Sequence, residues 1–350
     1  MAKKLSIFED IVEQYPEVKL GTGTEVLEWV DTGNYALNKI ISGDYFKGLP
    51  LGRIVEYFGE PSTGKSLMIY VAMANFQKKF GEHAYVILDD TEDVFTEHMA
   101  KIIGIDVSRM ILLGSETVEE HFGRLFLGIK GEEGKKKKEG LVPYIIESDP
   151  EAKILIALDS VAMLSTEHER KVGFEKSDMT KAKNLRAGIR MVNRRFICKH
   201  SILYLIANHV MAQIGGYGNS KTTPGGKAIP FLSSVRLELT MRGKIKDGEK
   251  VIGVQTIAHG KKNKIAPPFA KTVVDIMFDK GIDEMSGVPD MLAVDGYVKE
   301  KGGWFELPDG KKVRRAEITF DVLKQIIAAP APETEDKGVK REQSIEEGDE

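Results

Sequence analysis

The sequence predicts an α/β fold: a mostly parallel sheet with helices on both faces, an antiparallel extension and a small C-terminal α/β appendage. Short apolar segments alternate with stretches of helical periodicity between residues 54 and 207, which is typical of strand–helix–strand units. After residue 233 the apolar segments follow one another around a Lys-Asp-Gly-Glu turn, which indicates a hairpin. Residues 287–329 leave room for only a small additional unit.

The spacing of apolar residues assigns the elements in chain order. We expect strands at residues 54–58, 85–90, 110–113, 154–158 and 202–207, and helices at residues 5–15, 66–80, 97–103, 118–129 and 179–200. Later strands at residues 235–241, 251–259 and 272–278 are expected to pair antiparallel. Polar, glycine-containing stretches at residues 165–177 and 209–226 are expected to be loops.

The composition is that of an ordinary soluble protein of 350 residues, with 42% hydrophobic and 29% charged residues. No run approaches 18 consecutive apolar residues, and the N-terminus lacks the apolar stretch of a signal peptide. Cys198 is the only cysteine, which excludes an internal disulfide and favours a cytoplasmic setting. Residues 331–350 hold eight acids against three bases, and we expect an acidic disordered tail with either no role or a regulatory one.

Directly after the strand at residues 54–58, the chain matches the phosphate-binding pattern G-x-x-x-x-G-K-[ST] in full, with Gly59, Glu60, Pro61, Ser62, Thr63, Gly64, Lys65 and Ser66. Between a strand and a helix, such a loop points backbone N–H groups and a helix N-terminus at phosphate oxygens. Lys65 is expected to reach the β- and γ-phosphates, and Ser66 to ligate Mg²⁺. The pattern therefore predicts a site for ATP with Mg²⁺.

Polar residues near the ends of three other strands are candidates for the rest of a hydrolytic site. Asp159 follows the strand at residues 154–158, where an acid that holds Mg²⁺ through water is expected. Glu92 is a candidate general base, although its spacing within an acidic cluster favours a capping or exposed acid. Asn208 and His209 are candidate sensors of the γ-phosphate, with a structural role as the alternative for His209.

An ordered set of further motifs resembles the bacterial RecA-type recombinases. The motifs are GLPLGRIVE at residues 48–56, LDSVA at 158–162, TTPGGKA at 222–228, SVRL at 234–237 and KNKIAPPF at 262–269. The resemblance covers about residues 32–306 and fits a divergent or phage-encoded member. It implies a RecA-type P-loop NTPase core at residues 32–286, an N-terminal helix and linker for subunit docking at residues 1–31, and a shortened C-terminal domain at residues 287–330.

The function implied by this resemblance is that of a DNA-dependent ATPase. Such a protein forms a helical filament on single-stranded DNA, pairs it with homologous duplex DNA and exchanges strands. Single-strand-binding and mediator proteins are further candidate partners, and no membrane is expected. Two alternatives share the phosphate-binding pattern: a hexameric DNA helicase with a related core, which would form closed rings, and an ATP-bound regulatory scaffold, which would show no DNA-stimulated hydrolysis.

The resemblance also implies roles for individual residues. It places Glu92 at the water-activating glutamate, and it places Lys262 and Lys264 at a catalytic pair that reaches the ATP of the neighbouring subunit. Phe231 would lie at the subunit interface, with core packing as the alternative. Residues 165–177 and 210–226 would be two DNA-binding loops, with the candidates Ser165, Gly173, Ser177, Met211, Gly215, Gly216, Thr222, Thr223, Gly225 and Gly226. Nearby bases, which helix-surface solvation would also explain, are Lys181, Lys183, Arg186 and Arg190.

Three positions depart from the family pattern. His209 stands where the family usually has glutamine, so the coupling between the γ-phosphate and the second loop is expected to differ and to respond to pH. Met99 stands where the family often stacks a tyrosine on adenine. The shortened C-terminal domain is expected to retain less of the surface that gathers duplex DNA.

Overall fold

The computed structural model describes residues 2–15, 25–128, 139–173, 180–212 and 221–329. Ser177, Gly215, Gly216 and the predicted acidic tail lie outside these residues. The chain divides into two compact units, Met1–Ser286 and Gly287–Glu350, and each is treated by itself below.

The described part of the first unit contains the predicted alternation of strands and helices. Its strands are β1 (Trp29–Val30), β2 (Leu49–Pro50), β3 (Ile54–Gly59), β4 (Ala84–Asp90), β5 (Met110–Leu113), β6 (Lys153–Asp159), β7 (Leu203–His209), β8 (Met211–Ala212), β9 (Lys221–Thr222), β10 (Val235–Asp247), β11 (Lys250–Asn263), β12 (Lys271–Met277) and β13 (Gly281–Ile282). Its helices are α1 (Ala2–Gln14), α2 (Tyr35–Ser42), α3 (Lys65–Phe80), α4 (Glu97–Ile103), α5 (Val118–Phe122), α6 (Leu141–Ser148), α7 (Glu167–Val172), α8 (Thr180–Val192) and α9 (Ala228–Leu232).

Among the described residues, a nine-stranded sheet forms the centre of this unit, in the order β13-β12-β11-β10-β3-β7-β6-β4-β5. The six strands from β10 to β5 run parallel, and β11, β12 and β13 extend the sheet antiparallel. All six residues of β3 are buried, as expected for a strand covered on both faces. The predicted mostly parallel sheet with an antiparallel extension is thus confirmed.

One pairing differs from the prediction, because β10 is not antiparallel on both sides. It pairs parallel with β3, from Val235 opposite Val55 to Leu239 opposite Gly59, and antiparallel with β11. The chain reaches β10 through the helix α9, and such a crossover brings it back in the direction of its neighbour. The predicted hairpin turn follows β10, with Asp247 paired to Lys250.

Two predicted helices end earlier than their periodicity indicated. After Phe122 and after Val192, the backbone continues in wider π-type turns over Gly123–Leu127 and Asn193–Cys198. Conversely, the predicted loop at residues 165–177 contains α7. Thr166 caps this helix through a reciprocal capping box with Glu169, and this local T-x-x-E signal is not visible in apolar periodicity.

Helices cover both faces of the sheet. On one face α3 packs against β4, β6 and β7. On the other face α5, α6 and α8 bury one continuous apolar cluster against side chains of β6 and β7, including Phe122, Val142, Leu185, Ile156 and Ile206. This second layer positions the start of α8, and with it the bases that follow the first candidate DNA loop.

The second unit contains α10 (Val288–Val294), the antiparallel strands β14 (Lys299–Lys301), β15 (Trp304–Glu306) and β16 (Lys312–Arg314), and α11 (Phe320–Ala328). Its small core includes Phe305, Val313, Leu323 and Ile326. No helix among the described residues of either unit has the length and apolar character needed to span a bilayer.

We expect Gly188→Ala to destabilise the protein. This is the opposite of what helix propensity alone predicts, since alanine in a helix interior is more favourable than glycine by about 1 kcal/mol. A Cβ at Gly188 would lie 2.3 Å from the buried ring of Phe122, so α8 and α5 would have to separate. Such overpacking typically costs about 1–3 kcal/mol, which exceeds the propensity gain. The free energy of unfolding from denaturant titration measures the net effect.

Gly123→Ala is the matched control, because an added Cβ there meets nothing closer than 3.9 Å and the backbone φ is −63°. This variant is expected to be neutral or slightly stabilised. Equal stability of the Gly188→Ala variant and the unmodified protein would contradict the packing described for α8.

Candidate active site

Four parallel strands end at one edge of the sheet and bring the predicted site residues together. In the register of the sheet, Gly59 at the end of β3 lies opposite His209 of β7, and Asp90 of β4 lies opposite Asp159 of β6. Ligands of open α/β sheets bind at this carboxyl edge. The separate strand-end candidates therefore form one site.

The loop between β3 and α3 has the backbone that its glycines predict. Gly64 adopts a φ of +90°, and a Cβ there would lie 2.2 Å from Ile276 Cδ1, so only glycine fits. The Lys65 ammonium donates to the carbonyl oxygens of Gly59 at 3.0 Å and Glu60 at 2.8 Å. Burial lowers the pKa of Lys65, an effect partly offset by Asp159 and Glu92.

The residues proposed for Mg²⁺ lie side by side. Asp159 is 1% exposed, and burial raises its pKa to about 6 despite a hydrogen bond from the Ser66 hydroxyl. Its Oδ2 atom is buried and accepts no hydrogen bond from the described residues. A buried carboxylate oxygen without a partner, beside a serine hydroxyl, suits a hard divalent cation. Ser66 and Asp159 therefore fit the expected Mg²⁺ ion.

The loop that follows β4 is shaped by a buried acid. Asp90 Oδ2 accepts the backbone N–H groups of Val94 at 2.9 Å and Phe95 at 2.8 Å, and Oδ1 accepts that of Glu92 at 3.3 Å. Three backbone donors on one carboxylate hold the turn in a single conformation. Asp90 therefore fixes the position from which Glu92 enters the site.

Glu92 shares one oxygen with two donors. Its Oε1 accepts from the Ser160 hydroxyl and lies 2.9 Å from Nε2 of His209. Burial raises the pKa of Glu92, but the hydrogen bonds from Ser160 and His209 and the charge of Lys65 outweigh burial, so the pKa is lowered overall. Glu92 is thus held as a carboxylate, the form that a general base requires.

The side chains of Asn208 and His209 have different environments. His209 lies on the wall of the cavity described below. Asn208 is fully buried, and its Nδ2 donates to Glu56 Oε1 at 3.0 Å and to the carbonyl oxygen of Pro224 at 3.1 Å. Glu56 also accepts a hydrogen bond from Nε of Arg236. Asn208 therefore links the sheet to the end of the second candidate loop.

A cavity of about 610 Å³ opens at this edge. Its polar lining includes Lys65, Ser66, Glu92, Asp159 and His209. Its apolar lining, which suits a nucleotide base, includes Leu67, Val94, Met99, Ile102, Val254, Ile276, Met277 and Phe278. Met99 lies on the wall of this cavity. Sequence reasoning missed the contributions of β11 and β12, because nothing local shows that these strands reach the loop after β3.

The first candidate DNA loop is tied to α5 at its start. The backbone N–H of Ser165 donates to Glu116 O at 2.8 Å, and Ser165 O accepts from the N–H of Val118 at 3.0 Å. Gly173 ends α7 with a φ of +72°. Of the bases that follow, Lys183, Arg186 and Arg190 are exposed, whereas Lys181 donates to Ala162 O at 2.9 Å.

Residues near both ends of the second candidate loop pair with each other as two short antiparallel strands. The backbone of β8 pairs with that of β9, Met211 opposite Thr222, and Met211 is 55% exposed. Thr223 is buried, and Gly225 and Gly226 follow with φ of +85° and +60°. The hairpin leaves the sheet directly after His209.

The candidate interface residues lie together outside the cavity. Lys262 donates to the carbonyl oxygens of Pro230 at 2.6 Å and Phe231 at 2.9 Å. The Phe231 side chain is 65% exposed, which excludes core packing within this subunit. Burial, with the charges of Lys264 and Arg236, lowers the pKa of Lys262 to about 8.

Comparison with known proteins agrees with this geometry. The RecA N-terminal domain family matches residues 6–283. The chain is 30% identical over 303 residues to Protein RecA of Acholeplasma laidlawii, with 84% of this chain and 82% of the relative covered. It is 30% identical over 318 residues to Protein RecA of Chlorobaculum tepidum (88% and 83% covered) and 32% identical over 303 residues to that of Clostridioides difficile (84% and 78% covered). The family match spans the sheet and every candidate residue of the site, and the chain therefore belongs to the RecA family.

Proposed function

We propose that this protein is a recombinase of DNA recombination and repair that hydrolyses ATP with Mg²⁺, forms filaments on single-stranded DNA and exchanges strands with homologous duplex DNA. One observation carries the proposal. In a chain of the RecA family, Lys65, Ser66, Asp159 and Glu92 line one cavity at the carboxyl edge of the sheet. In the roles proposed for them, these residues would supply a phosphate-binding lysine, two metal ligands and a carboxylate base, the groups that phosphoryl transfer to water requires.

In this proposal each residue has a distinct task. Phosphate oxygens take the place of the two carbonyls that now hold Lys65. Ser66 and Asp159 hold Mg²⁺, which when bound neutralises charge on the phosphates. Glu92, kept ionised by Ser160 and His209, orients the attacking water and accepts its proton.

The same contacts give a route from the nucleotide to DNA. His209 bonds the proposed base and is the last residue of β7, directly before the hairpin of the second loop. Asn208 bonds Pro224 at the other end of that loop. We infer that a change at Glu92 on nucleotide binding moves both ends of the loop. The loop and its neighbouring bases would hold single-stranded DNA without reading its sequence.

Filament assembly would complete the site. In this proposal, Lys262 and Lys264 contact the ATP of the next subunit. They lie near Phe231, whose side chain is exposed. Lysines that arrive from a neighbour act as an arginine finger does elsewhere, by stabilising charge on the transferred phosphoryl group. ATP at such an interface would couple hydrolysis to the hold of the filament on DNA.

The proposal predicts different defects for Glu92→Gln and Lys65→Ala. Loss of the base should lower DNA-stimulated ATP hydrolysis about 10²–10⁴-fold while ATP-dependent binding of single-stranded DNA persists. Loss of the lysine should abolish both hydrolysis and strand exchange. Steady-state ATPase with and without single-stranded DNA, together with a strand-exchange assay, measures these effects.

The unmodified protein must show DNA-stimulated hydrolysis and strand exchange in the same assays. Strand exchange by Lys65→Ala at the unmodified rate would contradict the proposal. Closed rings with duplex unwinding, seen by electron microscopy and a helicase assay, would instead support the helicase alternative.

Assembly should weaken as the pH rises through about 8, because the pKa of Lys262 in the free subunit is lowered to that value. Above it the free amine is neutral, so an interface that requires the ammonium must take up one proton. The critical concentration for ATP-dependent assembly should then rise by up to about tenfold per pH unit. Light scattering with a non-hydrolysable ATP analogue follows assembly.

Lys262→Arg is the control, because a guanidinium stays charged throughout this range. The critical concentration for assembly of this variant should change less between pH 7 and pH 9, even if the variant assembles more weakly or more strongly than the unmodified protein. Identical profiles for the two proteins would rule out a charged Lys262 at the interface.

A further inference from the structure

Tyr70 is a polar residue of the cavity that the proposed mechanism does not use. It lies on α3 one turn after Ser66, so both side chains share one face of the helix. Tyr70 is 4% exposed and lines the cavity together with Ser66, Asp159 and Glu92. Its hydroxyl is buried and makes no hydrogen bond to any described residue.

A buried hydroxyl without a partner is unfavourable, because it has lost its hydrogen bonds to water without replacing them. The Tyr70 ring is held in place by an edge-to-face contact with Phe95, with ring centroids 5.3 Å apart. Phe95 is in turn fixed through its backbone N–H by Asp90. The position of the hydroxyl is therefore set by the same loop that carries Glu92.

Asp159 Oδ2 is a second buried atom without a partner on the wall of the same cavity. One of these two groups is a donor and the other an acceptor, yet they do not bond each other. A water molecule accepts from one group and donates to another, and it satisfies such a pair where the two groups are too far apart to meet.

Tyr70 can act only as a neutral donor at physiological pH. Burial, reinforced by the carboxylates of Asp159, Asp90 and Glu92, raises the pKa of its phenol. The proton is retained, so the hydroxyl can donate a hydrogen bond to an oxygen acceptor.

We propose that Tyr70 is a positioning residue of the nucleotide site, whose hydroxyl donates a hydrogen bond to a water in the hydration shell of the nucleotide-bound divalent cation. This inference rests on the proposed function, because it requires that Mg²⁺ and ATP bind in this cavity. It assigns to Tyr70 the orientation of metal-bound water beside Asp159, a task distinct from those of Ser66 and Glu92.

The test is Tyr70→Phe, which removes only the hydroxyl and keeps the ring against Phe95. Affinity for the β,γ-imido analogue of ATP should fall about fivefold in the presence of Mg²⁺, because the loss of one ordinary hydrogen bond lowers a binding constant by about that factor. In EDTA without Mg²⁺, the variant and the unmodified protein should bind the analogue equally. Isothermal titration calorimetry measures both affinities, and the stability of the nucleotide-free variant should not fall, because no protein contact is lost.

Tyr57→Phe is the matched control. Tyr57 is fully buried and its hydroxyl also lacks a partner among the described residues, but it is not part of the cavity wall. Its removal should leave the affinity unchanged with and without Mg²⁺.

Equal affinities of Tyr70→Phe and the unmodified protein with Mg²⁺ would overturn the inference, and so would an equal loss with and without Mg²⁺. Either result would leave the proposed ATP site intact, because the unmodified protein still binds. Failure of the unmodified protein to bind the analogue with Mg²⁺ would refute the proposed function and this inference together.

Discussion

The parallel alignment of β3, β4, β6 and β7 is the constraint on which the site depends. It ends four strands at one edge and buries the charged side chains of Lys65 and Asp159 there. As a consequence, the pKa values of two site residues shift in opposite directions. Burial lowers the pKa of Lys65 and raises the pKa of Asp159 to about 6. Each of these groups has lost hydration that its neighbours only partly replace. In our account, Mg²⁺ with ATP supplies the missing charge partners, so the energy of the dehydrated edge favours binding.

A second constraint ties this edge to the surface where subunits would meet. Glu56 lies fully buried in β3 and accepts hydrogen bonds from Asn208 on one side and Arg236 on the other. The guanidinium of Arg236 also lies over the Phe58 ring, 4.4 Å from its centroid. Its charge helps to lower the pKa of Lys262, which holds the backbone of α9 beside Phe231. Removal of one partner from such a buried ionic network leaves the others uncompensated, so loss of any single contact in it is expected to be costly.

The sequence predicts the parts of this site that local chemistry determines. The loop from Gly59 to Ser66 and the strand-end position of Asp159 follow from a motif and an apolar run, and the parallel sheet follows from the alternation of elements. Contacts between distant segments could not be predicted in this way. Tyr70 looks like one more core position of α3, and the orientation of Asn208 depends on a carboxylate 152 residues away. The capping box of α7 is the exception, since Thr166 and Glu169 give a local signal that apolar periodicity does not detect.

The central claim is that each ATP site is completed by the next subunit, and mixing two inactive variants tests it most directly. Lys65→Ala lacks the phosphate-binding lysine, and the double variant Lys262→Ala, Lys264→Ala lacks the groups offered to a neighbour. In an equal mixture on single-stranded DNA, about one quarter of the junctions would join an intact loop to intact lysines. The account predicts that the mixture recovers a corresponding part of the ATPase activity of the unmodified protein. A mixture as inactive as either variant alone would contradict it, because lysines that act within their own subunit cannot complement a neighbour.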